Sequence, residues 1–349
     1  MFVAWTGCEF SPARHSRGRL LSDISLSEPA ALTARVQTAR KAGAGDTRFR
    51  ILTLLAALAV LGIFSGVILS LVIGAMPSFK AFGFGFITTE AWSPTRERFG
   101  ALAPIYGTLV TSLIAMLIAV PVGIGIAIFL TDLCPRLLRR PIGIAIELLA
   151  GIPSIIYGIW GLFVFAPWFQ LHVQEPISNA VGDSAFFGTL FGGATFGIGT
   201  FTAGLILSIM ILPFISAVTR DVLETVPSVL KEASYGLGAT SWEVMWKVCL
   251  PFCQTGVVGG AMLALGRALG ETMAVTFVIG NAHKISPSLF APGTSISATI
   301  ANEFTEATSE LYTSSLIELG LLLFVITFIV LACAQLMLRQ MEKSKGKVT

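Results

Sequence analysis

The sequence predicts an all-α integral membrane protein with six transmembrane helices and both termini in the cytoplasm. Three observations predict it. First, 54% of the 349 residues are hydrophobic and only 12% are charged, against about 25% charged residues in a soluble globular chain. Such a surface suits lipid rather than water. Second, six stretches are long and apolar enough to cross a bilayer core, which takes about 20 residues of helix. Third, the Lys and Arg residues of the connecting segments and tails divide 18 to 4 between the two sides, and the richer side is cytoplasmic. A net charge of +3 gives no reason to expect a nucleic-acid partner.

Residues 1–50 are polar, hold eight Lys/Arg and lack the basic start, apolar core and small-residue cleavage site of a signal peptide. They read as a disordered cytoplasmic tail. The first span covers 51–76 and is free of charge. A core of five spans follows over 104–338, beginning with Tyr106–Leu130. The third apolar stretch, Ile142–Phe169, carries Glu147, and Pro153 and Pro167 predict that it is bent or split. Phe196–Val218 is the fourth span, Thr255–Gly280 the fifth with Arg267 and Glu271, and Leu316–Leu338 the sixth with Glu318 near its start. Trp92, Trp160 and Trp168 suit the outer interface. The glycine-rich stretch 182–199 reads as a flexible outer loop. Cys8, Cys134, Cys249, Cys253 and Cys333 show no metal-ligand spacing and fall on or near the cytoplasmic side, as expected of unpaired thiols in a reducing compartment.

The longest internal cytoplasmic loop, 219–254, is amphipathic rather than featureless. Pro227 suits the first turn of a helix, and Val229, Leu230, Ala233 and Leu237 follow at helical spacing. Gly236 and Gly238 end it. Thr240 with Glu243 three residues later is a capping box that opens a second helix bearing Trp242, Val244, Met245, Trp246 and Val248. Leu250-Pro251 is expected to stop that helix before the fifth span. Helix, glycine turn and helix on the inner face expose more apolar surface than a linker needs, which marks a partner or the membrane surface.

An Arg at bilayer depth costs at least about 2.5–3.5 kcal/mol, so a lone Arg267 facing lipid is not expected. Glu271 lies one helical turn away on the same face. The rest of that face is small, Gly256, Gly260, Ala264 and Ala274, which permits close helix packing. The residues alone leave two readings open, a structural ion pair at a helix or subunit interface and an anion site on a translocation path. Glu147 and Glu318, near span ends, are either secondary members of such a path or simply solvated.

These motifs resemble a known family. Glu232-Ala233-Ser234, Gly238, Val248 and Leu250-Pro251 match in spacing the cytoplasmic signature of permease subunits of bacterial ATP-binding-cassette importers, with Ser234 in place of a second Ala. Gly266-Arg267-Ala268-Leu269-Gly270-Glu271-Thr272-Met273-Ala274-Val275 looks like the fifth-span signature of the phosphate-specific members. The stretches 104–112 and 147–158, Ala301-Asn302-Glu303-Phe304 and Glu318-Leu319-Gly320 resemble the same group, of the PstC type rather than the PstA type, over about 51–338. The resemblance implies a type I importer permease fold with the loop over 219–254 as a coupling loop, in which Glu232, Ala233, Ser234, Gly238, Leu250 and Pro251 engage the ATPase. It implies Arg267 and Glu271 on the path of inorganic phosphate. It implies as partners a paralogous PstA-like permease, a homodimeric PstB-like ATPase and an extracytoplasmic PstS-like phosphate-binding protein.

The chemistry agrees, because a guanidinium fork matches phosphate oxygens and keeps its charge. No catalytic constellation is expected: His15, His172 and His283 are scattered, and no Gly-Lys-Ser/Thr phosphate loop is present. ATP hydrolysis is therefore assigned to another chain, with no cofactor here. The rival readings are a permease for sulfate or molybdate, a gradient-driven secondary transporter and a membrane scaffold for a signalling kinase.

Overall fold

Thirty-six residues of continuous helix, Thr47–Phe82, carry the first apolar span. They belong to a longer helix, α1, Pro29–Phe82. This chain is described here by a computed structural model, which describes residues 29–181, 184 and 186–345. The expected tail thus lies outside the described residues over 1–28, and over 29–50 the backbone is helical. Two units divide the chain, one up to Ser65 and the other from Gly66 onward.

Within the second unit, besides two single-turn helices at Gly85–Thr88 and Phe187–Phe191, the helices are α2 (Leu102–Leu133), α3 (Arg136–Gly151), α4 (Ser154–Ala180), α5 (Thr200–Glu224), α6 (Ser228–Gly236), α7 (Ser241–Leu269), α8 (Met273–Val278), α9 (Ile296–Glu303) and α10 (Glu310–Lys345). Six helices among the described residues, α1, α2, α4, α5, α7 and α10, are long and apolar enough to cross a membrane. No sheet forms among the described residues; one isolated bridge pairs Ser93 with Arg98.

α5 is the central helix. Its Ala203, Ile206, Leu207, Met210, Ile211 and Ile215 are buried against Ala115 and Ala119 of α2, Ala264 and Ala268 of α7, and Val275 and Val278 of α8. Small residues set the approach of α2. A Cβ on Gly123 would come within 2.8 Å of the Ile215 side chain, and one on Gly204 within 2.7 Å of Ile114. In lipid, where burying apolar surface gives little drive between helices, such close packing is the main source of association.

Two helix boundaries differ from the sequence expectation. The third stretch is two elements. Ile152 and Pro153 are extended (ψ 126° and 135°), because a residue before proline is driven out of the helical region. The span is therefore 154–180, not 142–169, and α3 is a separate amphipathic helix with Leu137, Leu138 and Leu148 exposed. In the fifth, Pro251 does not stop the preceding helix. α7 runs unbroken from Ser241 through a wider π turn over Met245–Cys249, where the Leu250 N–H donates to the Met245 carbonyl five residues back. The helix ends instead at Leu269, and Gly270, Glu271 and Thr272 form an interruption before α8.

The loops at the two ends of the second unit are distinct. At the basic end, 131–141 meets 219–254, where Lys231 Nζ bonds Asp132 at 3.2 Å. At the opposite end, the segments 84–101, 186–199 and 281–309 lace together: the Leu289 N–H donates to the Leu190 carbonyl, and the Ile285 N–H donates to Glu90.

Candidate functional site

Arg267 sits in the last turn of α7, exposed, with its guanidinium 4.7 Å from the centre of the Phe214 ring on α5. A cation over an aromatic face is held by about 0.5–2 kcal/mol, so the ring fixes the fork while leaving its donors open. Among the described residues Arg267 makes no ion pair. The expected pairing with Glu271 is absent, and the interruption is the reason. On an unbroken helix residues four apart stack on one face, but Gly270 turns the chain, and Glu271 Oε1 instead accepts from the Ala274 N–H at 3.4 Å. The Glu271 carbonyl accepts from the buried Ser297 hydroxyl on α9 at 2.7 Å. Non-helical backbone inside a membrane protein is tolerated where it is buried or lines a watered cavity. In the broken segment the buried Ser297 serves one such backbone carbonyl, that of Glu271.

The secondary carboxylates part company. Glu147 lies on α3 and is half-exposed, 2.9 Å from Arg220 Nη2. Glu318 is not solvated, contrary to one sequence reading: it is 1% exposed, on α10 beside Ser78, whose hydroxyl pairs with that of Ser315 at 3.2 Å and whose backbone N–H donates to the Ser314 hydroxyl at 2.9 Å. Burial follows because α10 turns this face toward the last turns of α1, where Ile317 also meets Gly74.

The helix–turn–helix at the basic end has one anchored half and one exposed half. Pro227 is the N-cap of α6 rather than its first helical residue, with ψ 132°. Gly238 makes the turn at φ +86°, a backbone that suits glycine. The Thr240–Glu243 capping box is complete, the hydroxyl accepting from the Glu243 N–H and the carboxylate from the Thr240 N–H. Val244, Met245 and Cys249 are buried with Ala127, Leu223, Val226 and Val257, so the start of α7 is anchored against α2 and α5. α6 has no buried residue. Glu232 and Ala233 are exposed, as are Val229, Leu237, Trp242 and Trp246, while the Ser234 hydroxyl turns back to the Leu230 carbonyl. Leu250 and Pro251 lie within α7, Leu250 half-buried and Pro251 exposed.

Sequence reasoning missed three features. Phe214 was one more aromatic residue in an apolar run. The Lys231–Asp132 bridge joins residues far apart in the chain. The third is a carboxylate knot at the opposite end. Glu303 accepts from Trp92 Nε1 and the Tyr312 hydroxyl and faces His283 Nε2 at 2.8 Å, and the His283 ring stacks on Trp92. Burial pushes the Glu303 carboxyl up, but the bonds from His283, Tyr312 and Trp92 outweigh it and hold the carboxyl below its ordinary value. The run Ala301-Asn302-Glu303-Phe304 was the only signal of it.

Comparison with known proteins adds the family. Residues 119–343 match the model of the binding-protein-dependent transport system inner membrane component. The chain is 59% identical over 326 residues, 93% of its length and 100% of the relative's, to the phosphate transport system permease protein PstC of Mesorhizobium japonicum. It is 58% identical over 299 residues, 86% of its length and 93% of the relative's, to the protein of the same name from Pasteurella multocida. Among solved structures, a bacterial alginate ABC transporter in complex with an alginate pentasaccharide-bound periplasmic protein has a chain that superposes with a TM-score of 0.56 at 19% identity, covering 82% of this chain and 94% of that one. This last likeness is one of fold.

Proposed function

This chain belongs to the family of binding-protein-dependent transport system inner membrane components, and from that premise we propose that it is the permease subunit of an ATP-driven importer of inorganic phosphate. The observation that carries the substrate is the 59% identity, across nearly the whole chain, to a phosphate transport permease. In this reading the chain pairs with a paralogous permease, and the two line the path. A homodimeric ATPase grips the exposed α6 elbow, and an extracytoplasmic phosphate-binding protein delivers the ion to the other end. Both termini and the basic end then face the cytoplasm, in accord with the distribution of Lys and Arg.

The geometry suits each task. Phosphate at neutral pH offers several acceptor oxygens and one to two negative charges, and an Arg held over a ring but unpaired by carboxylate presents its fork to them. One guanidinium binds the ion weakly enough to release it, so tight capture belongs to the binding protein. Closure of the ATPase dimer would push on α6, and the buried start of α7 would carry that push along a continuous helix to Arg267 at its far end. Hydrolysis itself is assigned to the partner ATPase.

The test is uptake of radiolabelled phosphate in a strain lacking its own chain, with sulfate as control. Complementation by this chain together with its partner subunits should restore phosphate uptake and leave sulfate unchanged. Arg267→Gln should lower phosphate uptake by about tenfold or more, a loss of at least about 1.4 kcal/mol, while the assembled complex still hydrolyses ATP. Normal uptake by the variant would remove Arg267 from the path.

A further inference from the structure

The basic end carries a second feature that the transport path does not use. α3 presents Arg136, Arg139, Arg140, Gly143, Ile144 and Glu147 to one cavity of about 310 Å³, which Arg220 and Glu224 of α5 close from the other side. The α3 positions run at intervals of three and four, a single helical stripe. The charge in this cavity is unevenly satisfied. Arg220 takes the carboxylates: Glu147 at 2.9 Å, Asp221 at 3.5 Å and the field of Glu224. Arg136, Arg139 and Arg140 make no ion pair among the described residues. Three guanidinium groups on one stripe repel one another and a fourth lies beside them, an arrangement that an anion relieves. Gly143 allows it, since a Cβ there would stand 3.2 Å from Arg220 Nη1.

We propose that this cavity is a phosphoryl-anion site, in which the free guanidinium groups of α3 clasp a phosphate oxygen cluster while Arg220, fixed by Glu147, forms its floor. Planar forks match such oxygens in pairs. Two sources supply the group. The site lies on an amphipathic helix whose leucines are exposed at the end of a membrane span, the level of anionic lipid headgroups. It also lies at the end where, on the proposed orientation, imported phosphate emerges. The site itself does not depend on the solute carried or on Arg267.

The full chain is tested by two probes. Phosphatidylglycerol retained through purification is counted by native mass spectrometry. Inorganic phosphate is titrated against thermal unfolding, in an Arg267→Gln background so that the path does not contribute. The variant Arg136→Gln/Arg139→Gln/Arg140→Gln should bind at least one probe about tenfold more weakly. Loss of lipid alone assigns the headgroup, and loss of phosphate stabilisation alone assigns the free ion. The Lys/Arg asymmetry between the two sides survives the triple change, and a second variant covers poor expression. Gly143→Ala keeps every charge but crowds Arg220 and should weaken the same probe several-fold. If both variants match the parent with both probes, the proposal is overturned. It is equally overturned if the triple variant weakens a probe while Gly143→Ala does not, because the effect is then bulk charge and not a shaped site.

Discussion

At Arg267 the face of Phe214, 4.7 Å from the guanidinium, supplies a cation–π attraction of about 0.5–2 kcal/mol. Phe214→Leu keeps the bulk and removes the ring, so about 1 kcal/mol of orientation is lost. Uptake kinetics should then show phosphate transport reduced roughly fivefold with assembly unchanged; unchanged kinetics would mean that the ring serves packing alone. Glu303 allows a sharper test at the same scale, because its carboxyl is held below its ordinary value. A carboxylate whose value is depressed by folding contributes stability that is complete above its unfolded value, about 4.3, and that is lost as pH falls through the folded value. Glu303→Gln forfeits charge-assisted bonds worth about 2 kcal/mol at neutral pH. Thermal unfolding in detergent should therefore show a lower midpoint for the variant at pH 7, with the gap to the parent closing below about pH 4. A gap that is constant with pH would show that the knot is not held by charge.

The elements illustrate how a local break redirects function. Pro153 separates α3 from α4 and so frees an amphipathic helix carrying three arginines. Pro251, by contrast, follows a π turn without ending the helix, and the start of α7 continues directly into a span. The turn between α6 and α7 depends on Gly238 at φ +86°. A β-branched residue there costs about 1–2 kcal/mol of backbone strain, and the turn is expected to reshape. Gly238→Val should leave insertion intact and cut phosphate-stimulated ATPase activity several-fold in the reconstituted complex. Normal stimulation would show that the elbow is not the handle. The Lys231–Asp132 bridge ties α6 to the end of α2. Being partly exposed, it holds the angle of the elbow more than it adds stability.

Across the whole molecule, the proposed orientation has a direct readout. In intact cells a membrane-impermeant thiol reagent should label Lys284→Cys, on an exposed outer position, and should reach Glu232→Cys only after permeabilisation. Both variants are best made in a chain lacking Cys333, an exposed native thiol. Reversed labelling would invert the placement of the ATPase and of the binding protein.

Composition and run length were enough to reveal a six-span membrane protein, because lipid demands long apolar helices with internally satisfied backbones, and that demand is written locally in the chain. The capping box at Thr240 and the turn at Gly238 were legible for the same reason, since each depends on residues a few positions apart. What only the tertiary structure decided involves distant partners. It ended α7 at Leu269 and thereby separated Glu271 from Arg267, placed Phe214 under the guanidinium, buried Glu318 against the end of α1, and gathered Glu303 with Trp92, His283 and Tyr312. These are contacts between helices in three dimensions, and periodicity along one helix carries no record of which face its neighbour will meet.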